Sequence, residues 1–323
     1  MTDTSLAKTQ RVNVKYRGKL KQIRKDYLLY VMLAMPMLLF VIFRYIPMTN
    51  IVIAFKDLNM FKGVWESPWA TTGGELDVFK YFKQAFSSPE FVRVLRNTIM
   101  LNFLDLACGF FIPVILAIIL NELAFPKFKR ITQTILYMPH FLSWIIIAGM
   151  AVQIFAPESG IINLLLRKMG MGTIPFLNDA VMWVVTYILL GIWQSAGYGT
   201  IVYLAAITGI NPELYEAAEV DGAGRIRKIW SITLPGIRPT IIVMLILNLG
   251  RILQISFDRP YALANKLVRP LADVISTYVY RVGIEAQQFS LTTAVGLFQS
   301  VICVIFLVGA NIITERLGER GIW

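Results

Sequence analysis

Residues 180–206 read AVMWVVTYILLGIWQSAGYGTIVYLAA, a run without a single Asp, Glu, Lys or Arg. About 20 predominantly apolar residues carry an α-helix across roughly 30 Å of hydrocarbon, and this stretch is apolar on every face for longer than that. A barrel strand would instead alternate over about ten residues. The stretch therefore predicts a membrane-spanning helix.

Comparable runs lie on both sides of it. Before it come residues 27–55, interrupted by Arg44 and Pro47, then 98–120 and 131–155; after it come 237–257 and 291–313. Of the 323 residues, 56% are apolar and 16% charged, with a mean hydropathy of +0.62, a balance foreign to soluble globular chains of this length. The expected fold class is all-α, a polytopic membrane protein with six transmembrane helices. Between the third and fourth spans, Ile161, Ile162, Leu164, Leu165 and Leu166 precede Arg167 and Lys168, the pattern of a short helix lying along the interface.

Charge orients the chain. The tail before Tyr27 carries Lys8, Arg11, Lys15, Arg17, Lys19, Lys21, Arg24 and Lys25 against Asp3 and Asp26, which places it in the cytoplasm by the positive-inside bias. An even number of spans returns the C-terminus to the same side, and the cytoplasmic segments then hold the larger Lys/Arg excess. The expected divisions are a basic cytoplasmic tail over 1–26, a transmembrane domain over 27–314 with its first outer loop at 56–93 and a cytoplasmic loop at 209–235, and a cytoplasmic tail over 315–323. The net charge of +11 is then mostly topogenic. No aromatic-interleaved groove or recognition fold accompanies it, so nucleic acid is not an expected partner and membrane lipid is. The apolar core begins too far from the start, and runs too long, for a cleavable signal peptide.

Chemistry-bearing motifs are missing. Cys108 and Cys303 both fall inside apolar spans, where small buried side chains are their usual role. The lone histidine, His140, follows Pro139 and has no second His with which to share a metal, so no metal site is expected. The sequence holds no GxxxxGK[ST] phosphate loop, no HExxH and no GxSxG, which argues against an enzyme. Any ATP that drives this protein must be hydrolysed by another chain.

The loop between the fourth and fifth spans carries the densest information. It reads GINPELYEAAEVDGAGRIRKIWSITLPGIRP over residues 209–239. Asn211 followed by Pro212 is a helix start, with Glu213 and Glu216 near the positive end of the helix dipole. Asp221-Gly222-Ala223-Gly224 breaks that helix. A second short one carries Arg225, Arg227 and Lys228 beside Ile226, Ile229 and Trp230, and Pro235 is expected to stop it before the fifth span. A solvated connector has no need of Ala217, Ala218 and Trp230 on its surface; a docking face does, because small side chains permit close approach and an aromatic supplies burial.

These residues resemble the signature of binding-protein-dependent ABC importer permeases, in which Glu-Ala-Ala, three residues, Gly, nine residues and Ile-x-Leu-Pro form the loop that docks on the ATPase. The matching positions are Glu216, Ala217, Ala218, Gly222, Ile232, Leu234 and Pro235. The resemblance extends over nearly the whole chain. Residues 273–301, DVISTYVYRVGIEAQQFSLTTAVGLFQSV, and the closing GERGIW over 318–323 are similar to the maltose-type carbohydrate branch, and most similar to permease subunits that import acidic oligosaccharides such as alginate or pectin fragments. It implies the type I importer permease fold in a bacterial inner membrane. It further implies a second permease subunit, a distinct homologue, together with two ATPase subunits that bind ATP and Mg, an extracytoplasmic solute-binding protein, and no cofactor on this chain. One segment departs from a neutral-sugar permease: FDRPYALANKLVRP, residues 257–270, is rich in Arg and Lys, which favours an acidic substrate.

Several polar groups sit where lipid would penalise them. Arg251 and Asp258 are seven residues apart near the outer half of the fifth span, about two helical turns and hence expected on one face. Asp105 lies inside the second span with Asn102 one turn earlier. Ionisable groups at such depth face a bundle interior or a watery path, paired with one another or with a substrate, so Arg251, Asp258, Asp105 and Asn102 are the expected substrate path. Trp65, Trp69, Trp144, Trp183, Tyr278 and Tyr280 fit interface anchors or core residues, although sugar rings also stack on such faces. Gly191, Gly197 and Gly199 permit either close helix packing or unwinding. The competing class is an ion-coupled secondary transporter, which should show inverted repeats and paired broken helices; the sequence shows no clear inverted repeat.

Overall fold

A computed structural model describes residues 25–316 together with Gly318, Gly321 and Ile322. The basic tail expected over 1–26 falls, up to residue 24, outside the described residues, as do Leu317, Glu319, Arg320 and Trp323 of the tail expected over 315–323.

The chain is a helical bundle, and one hairpin of Thr71–Thr72 against Glu75–Leu76 decorates its first loop. Helix α1, Tyr27–Phe40, runs on through a π turn at Val41–Tyr45 and a 3-10 stretch at Thr49–Phe55. None of α1 is buried against the rest of the chain; its Leu, Met and Phe side chains face outward, as a helix solvated by lipid requires. After the loop come α2, Lys80–Ser87, and α3, Pro89–Gly109, whose start is fixed by Ser88 accepting from the Phe91 N–H and by Pro89 in the first turn. A short break leads into α4, Ile112–Asn121, with Pro113 at its start.

The third span is not the single helix expected over 131–155. It is α5, Pro126–Tyr137, and α6, Trp144–Phe155, bent by 101° across a short 3-10 turn. Pro139 supplies the physical reason, because it lacks an N–H and its ring obstructs the preceding turn; Ser143 then recaps α6 by accepting from the Ile146 N–H. The amphipathic segment expected after it is α7, Ile161–Lys168. Asn163 anchors it from the buried side, donating to Ala156 O and Ile174 O and accepting from the Ile174 N–H.

Helix α8, Ala180–Thr208, is the axis of the bundle and packs against α3, α4, α5 and α11. It is continuous, so its glycines serve packing and not unwinding. A methyl group at Gly197 would overlap the carbonyl of Leu136 on α5, and one at Gly191 would overlap the guanidinium of Arg259. Such close approach replaces the hydrophobic drive that lipid withholds from helix association.

The loop beyond α8 forms α9, Pro212–Val220, then α10, Arg225–Lys228, a π turn at Ile229–Thr233, and α11, Leu234–Leu249. Pro235 does not stop the second helix as expected. Residues Arg225–Leu249 form one continuous helix, in which the π turn at Ile229–Thr233 locally widens the helix just ahead of Pro235, where a proline ring would otherwise clash. The fifth span also ends earlier than the expected 257. The chain leaves the helix at Gly250, and two of the carbonyls so freed are taken by side chains: Asn102 donates to Ile252 O at 2.7 Å and Gln299 to Leu253 O at 2.6 Å. Irregular backbone at this depth survives because it is satisfied inside the protein. Then follow α12, Asp258–Leu263, a single turn at Arg269–Ala272, α13, Ile275–Tyr278, and the last span α14, Phe289–Arg316.

Candidate functional site

The loop between α8 and α11 is built as a rigid hinge. Asn211 caps α9 by accepting from the Glu213 N–H at 3.1 Å. At its other end, Ala223 N donates to Ala218 O at 2.8 Å and Gly222 N to Glu219 O at 3.0 Å, the paired bonds of a Schellman ending with Gly222 in the left-handed region at φ 75°. The Tyr215 hydroxyl lies 2.9 Å from Thr233 Oγ1, and Lys228 approaches Glu219 at 3.5 Å, so both arms of the turn are tied together. Glu216 and Ala217 are exposed and Ala218 is half-buried, whereas Ile232 and Leu234 are half-buried in the second arm and Pro235 is exposed. Val220, Ile226 and Trp230 are 90%, 74% and 69% exposed. Apolar side chains displayed that openly on a braced turn form a surface suited to burial against another molecule.

Deeper in the bundle, α3, α8, α11 and the irregular stretch after Gly250 enclose a cavity of about 390 Å³. Asn102 and Asp105, one turn apart on α3, line it, with Asn248, Arg251 and Gln254. Asp105 is held by Arg259 through two hydrogen bonds, at 2.5 Å and 3.0 Å. The same guanidinium donates to Tyr187 O at 2.6 Å, lies 3.6 Å from the Tyr187 ring centroid and 5.1 Å from that of Trp144. A planar fork suits this combination of bidentate carboxylate and aromatic face better than an ammonium would. Arg251 is different. Its side chain is exposed to the cavity and has no ion pair or hydrogen bond among the described residues.

The expected common face of Arg251 and Asp258 does not exist. Because the helix ends at Leu249, the two residues are not on one helix, and Asp258 begins α12 beside a separate cavity with Ile145 and Tyr261. The cavity wall therefore carries Asp105 neutralised by Arg259, plus Arg251, which no carboxylate among the described residues pairs.

Residues 109–319 match the family model described as binding-protein-dependent transport system inner membrane component. Protein LplB of Bacillus subtilis (strain 168) is 43% identical over 301 residues, 93% of this chain and 92% of the relative. The polygalacturonan/rhamnogalacturonan transport system permease protein YteP of the same organism is 41% identical over 304 residues, 94% and 92% of the two chains. Among solved structures, a chain of a bacterial alginate ABC transporter, in complex with an alginate pentasaccharide-bound periplasmic protein, superposes with a TM-score of 0.82 at 38% identity. That match covers 94% of this chain and 99% of the other.

The chain belongs to this family of inner membrane transport components. It is a permease subunit and not an enzyme, with the type I importer permease fold.

Arg259 is the residue of the permease's cavity that sequence reading missed as a site. Its signal was indirect: Asp105 at membrane depth demanded a cation, and the Arg/Lys-rich segment 257–270 held several. Asn248 and Gln254 were also missed, since polar residues near span ends are ordinarily unremarkable. Trp183 turns out to be core, 1% exposed, with Nε1 donating to Leu263 O at 2.9 Å. His140 stacks on Tyr198 with ring centroids 4.0 Å apart.

The permease's first loop is cross-braced by Lys56 and Asp57. Lys56 is 6% exposed and donates to the carbonyls of Val64 and Trp65. Asp57 accepts from Lys80 at 2.8 Å and from the Tyr81 hydroxyl at 2.6 Å. Burial pulls the Asp57 carboxyl upward, but its bonds to Lys80, Tyr81 and the Thr71 N–H outweigh that and hold it below the ordinary value. Burial and the Asp57 charge push the Tyr81 hydroxyl up to about 12.

Proposed function

We propose that this permease forms one half of the membrane path of an ATP-driven importer for oligosaccharides, specifically acidic, uronate-bearing ones such as alginate or pectin fragments. The observation that carries the reading is Arg251: an uncompensated guanidinium in an intramembrane cavity, where an unpaired charge is costly unless it meets protein, water or a substrate anion. The polyuronide names attached to the relatives support the same chemistry. In this reading Asn102, Asn248 and Gln254 offer hydrogen bonds to sugar hydroxyls, and the ion pair of Asp105 with Arg259 holds the cavity wall in shape.

The remaining parts follow from the same reading. Both termini face the cytoplasm, residues 27–314 form the transmembrane domain, 56–93 its first outer loop, and 209–235 the coupling loop. Glu216, Ala217, Ala218, Gly222, Ile232, Leu234 and Pro235 form or brace the surface that enters a cleft of an ATPase subunit. Two such ATPases bind ATP and Mg, a distinct homologous permease closes the path, and a solute-binding protein delivers substrate from the other side. Closure of the ATPases would then be transmitted through the braced turn at Gly222 to α11.

The test is uptake of an acidic oligosaccharide and its carboxyl-reduced neutral counterpart into liposomes holding equal amounts of assembled transporter. Arg251→Gln should keep assembly and basal ATP hydrolysis while losing about tenfold in acidic uptake, the scale of one charge-assisted hydrogen bond. Arg251→Lys should recover part of it. Equal losses for both substrates would reject a charge-reading role for Arg251.

A further inference from the structure

We propose that the segment following the fifth span builds a second binding site for a uronate sugar, separate from the Arg251 cavity and at the same end of the bundle as the first loop. The inference rests on the acidic-oligosaccharide reading above. Helix α12, the turn at Arg269–Ala272, α13 and the π stretch at Val279–Glu285 enclose a cavity of about 520 Å³, within the range of roughly 300–1,000 Å³ usual for small-molecule sites.

One wall of this cavity is aromatic. Tyr261 and Tyr280 line it with ring centroids 5.9 Å apart and planes at 70°, and Phe257 backs both rings at 4.6 Å and 4.9 Å. The phenols are thereby held as a platform while Tyr261 stays 55% and Tyr280 36% exposed. The other wall is cationic. Arg281 is committed, bonding Asp273 at 2.7 Å and Glu90 at 2.8 Å, and these carboxylates hold its guanidinium pKa above the ordinary value although burial opposes the shift. Both oxygens of Asp273 are engaged, since Thr277 donates to the other one at 2.7 Å. Lys266 and Arg269 are exposed and have no ion pair among the described residues. A smaller adjoining cavity shares both and adds Arg93, which Glu90 faces at 4.0 Å. Against these cations stands Glu285, exposed on the rim.

The free cations sit on fixed backbone. Asn265 donates to Leu177 O at 2.7 Å and accepts from the Leu267 and Val268 N–H groups, pinning both neighbours of Lys266. Asn97 on α3 donates to Pro270 O and Asp273 O at 2.8 Å and 3.0 Å, pinning the turn that carries Arg269. A uronate sugar is the ligand that uses both walls. Its carboxylate meets Lys266 and Arg269, and the C–H face of its ring lies on an aromatic platform. A neutral sugar would use only the rings, and an inorganic anion only the cations.

The experiment uses the assembled transporter in nanodiscs with its ATPases and second permease, without nucleotide or binding protein. The probes are fluorescent trigalacturonate and its carboxyl-reduced trisaccharide, with Arg251→Gln as background so that the deeper cavity contributes little. Uptake with binding protein is measured in parallel in the wild type. The double variant Lys266→Gln/Arg269→Gln should weaken trigalacturonate binding roughly tenfold or more and leave the neutral probe unchanged. Tyr280→Ala should weaken both probes, and Tyr280→Phe should restore them, which a folding defect would not do. If wild-type uptake ignores the carboxylates, the functional reading fails and this inference fails with it. If wild-type uptake selects acidic sugars but the double variant binds trigalacturonate normally, this inference alone is overturned. Unchanged probe binding in the double variant, together with weaker capture of binding protein added afterwards to the same nanodiscs, would instead assign the face to protein docking and overturn the sugar site.

Discussion

Breaking the pair of Asp105 and Arg259 should cost far more than removing any surface ion pair in this chain. The Arg259 and Asp105 side chains are 12% and 26% exposed, the contact is bidentate, and the guanidinium has little water to fall back on when its carboxylate is lost. Removing one partner of a buried pair costs about 3–5 kcal/mol, because the other charge stays buried and unpaired. Surface pairs such as Lys83 with Asp77, screened by solvent, contribute far less. Asp105→Asn and Arg259→Gln should therefore each destabilise the detergent-purified complex by about 3 kcal/mol or more, whereas the double variant should cost little more than either single one. The assay is thermal or denaturant unfolding of the assembled complex, with folded fraction read by size-exclusion chromatography and the four proteins arranged as a double-mutant cycle. A coupling of about 2 kcal/mol or more is expected, within the range found for residues in direct contact. Additive single losses below about 0.5 kcal/mol each would refute the reasoning, since they would mean that both groups are already solvated. Gly191→Ala offers an independent route to the same phenotype, because the added methyl would occupy the space of the Arg259 guanidinium.

Two further outcomes are expected. Gly222→Val, at φ 75°, places a branched side chain in a left-handed conformation that costs roughly 1–2 kcal/mol; substrate-stimulated ATP hydrolysis in proteoliposomes should fall severely while membrane insertion is kept, Glu216→Lys should do likewise, and Gly222→Asn should retain much of the activity. In the first loop the Asp57 carboxyl lies below its ordinary value of 3.8 when folded, so its stabilisation is present above that pH and is lost as pH falls through the folded value. Tyr81, raised from 10.0 to about 12, stabilises fully below pH 10 and loses its contribution as pH rises toward 12. Amide exchange at Thr71 should consequently stay slow between about pH 5 and 8, and Asp57→Asn should accelerate it throughout that range.

What the sequence made legible follows from what is local in it. Each span announces itself by a run of apolar residues, and the helix, glycine turn and helix after α8 could be placed because Asn211, Pro212 and Gly222 act on their immediate neighbours. Breaks inside spans were harder. The 101° bend in the third span has a visible cause in Pro139, but an apolar run gives no reason to prefer a break over a tolerated kink. The end of α11 at Leu249 depends on Asn102 and Gln299, which rescue carbonyls from other helices, so Gly250 is its only local sign and a lone glycine in an apolar run does not decide between an end and a tolerated break. The same holds for the cavity. Asp105 and Arg259 are 154 residues apart, and the proximity of Arg251 and Asp258 along the chain suggested a pairing that the unwound backbone removes.

The measurement that bears most directly on the proposed function is uptake of a defined acidic oligosaccharide by proteoliposomes. They would contain this permease, its partner permease and the two ATPases, with binding protein outside and either ATP or an imposed ion gradient as the only energy source. The expected result is uptake that requires both ATP inside and the binding protein, prefers the acidic oligosaccharide over its carboxyl-reduced form, and disappears with Gly222→Val. Uptake driven by the ion gradient with no ATP or binding protein present would contradict it.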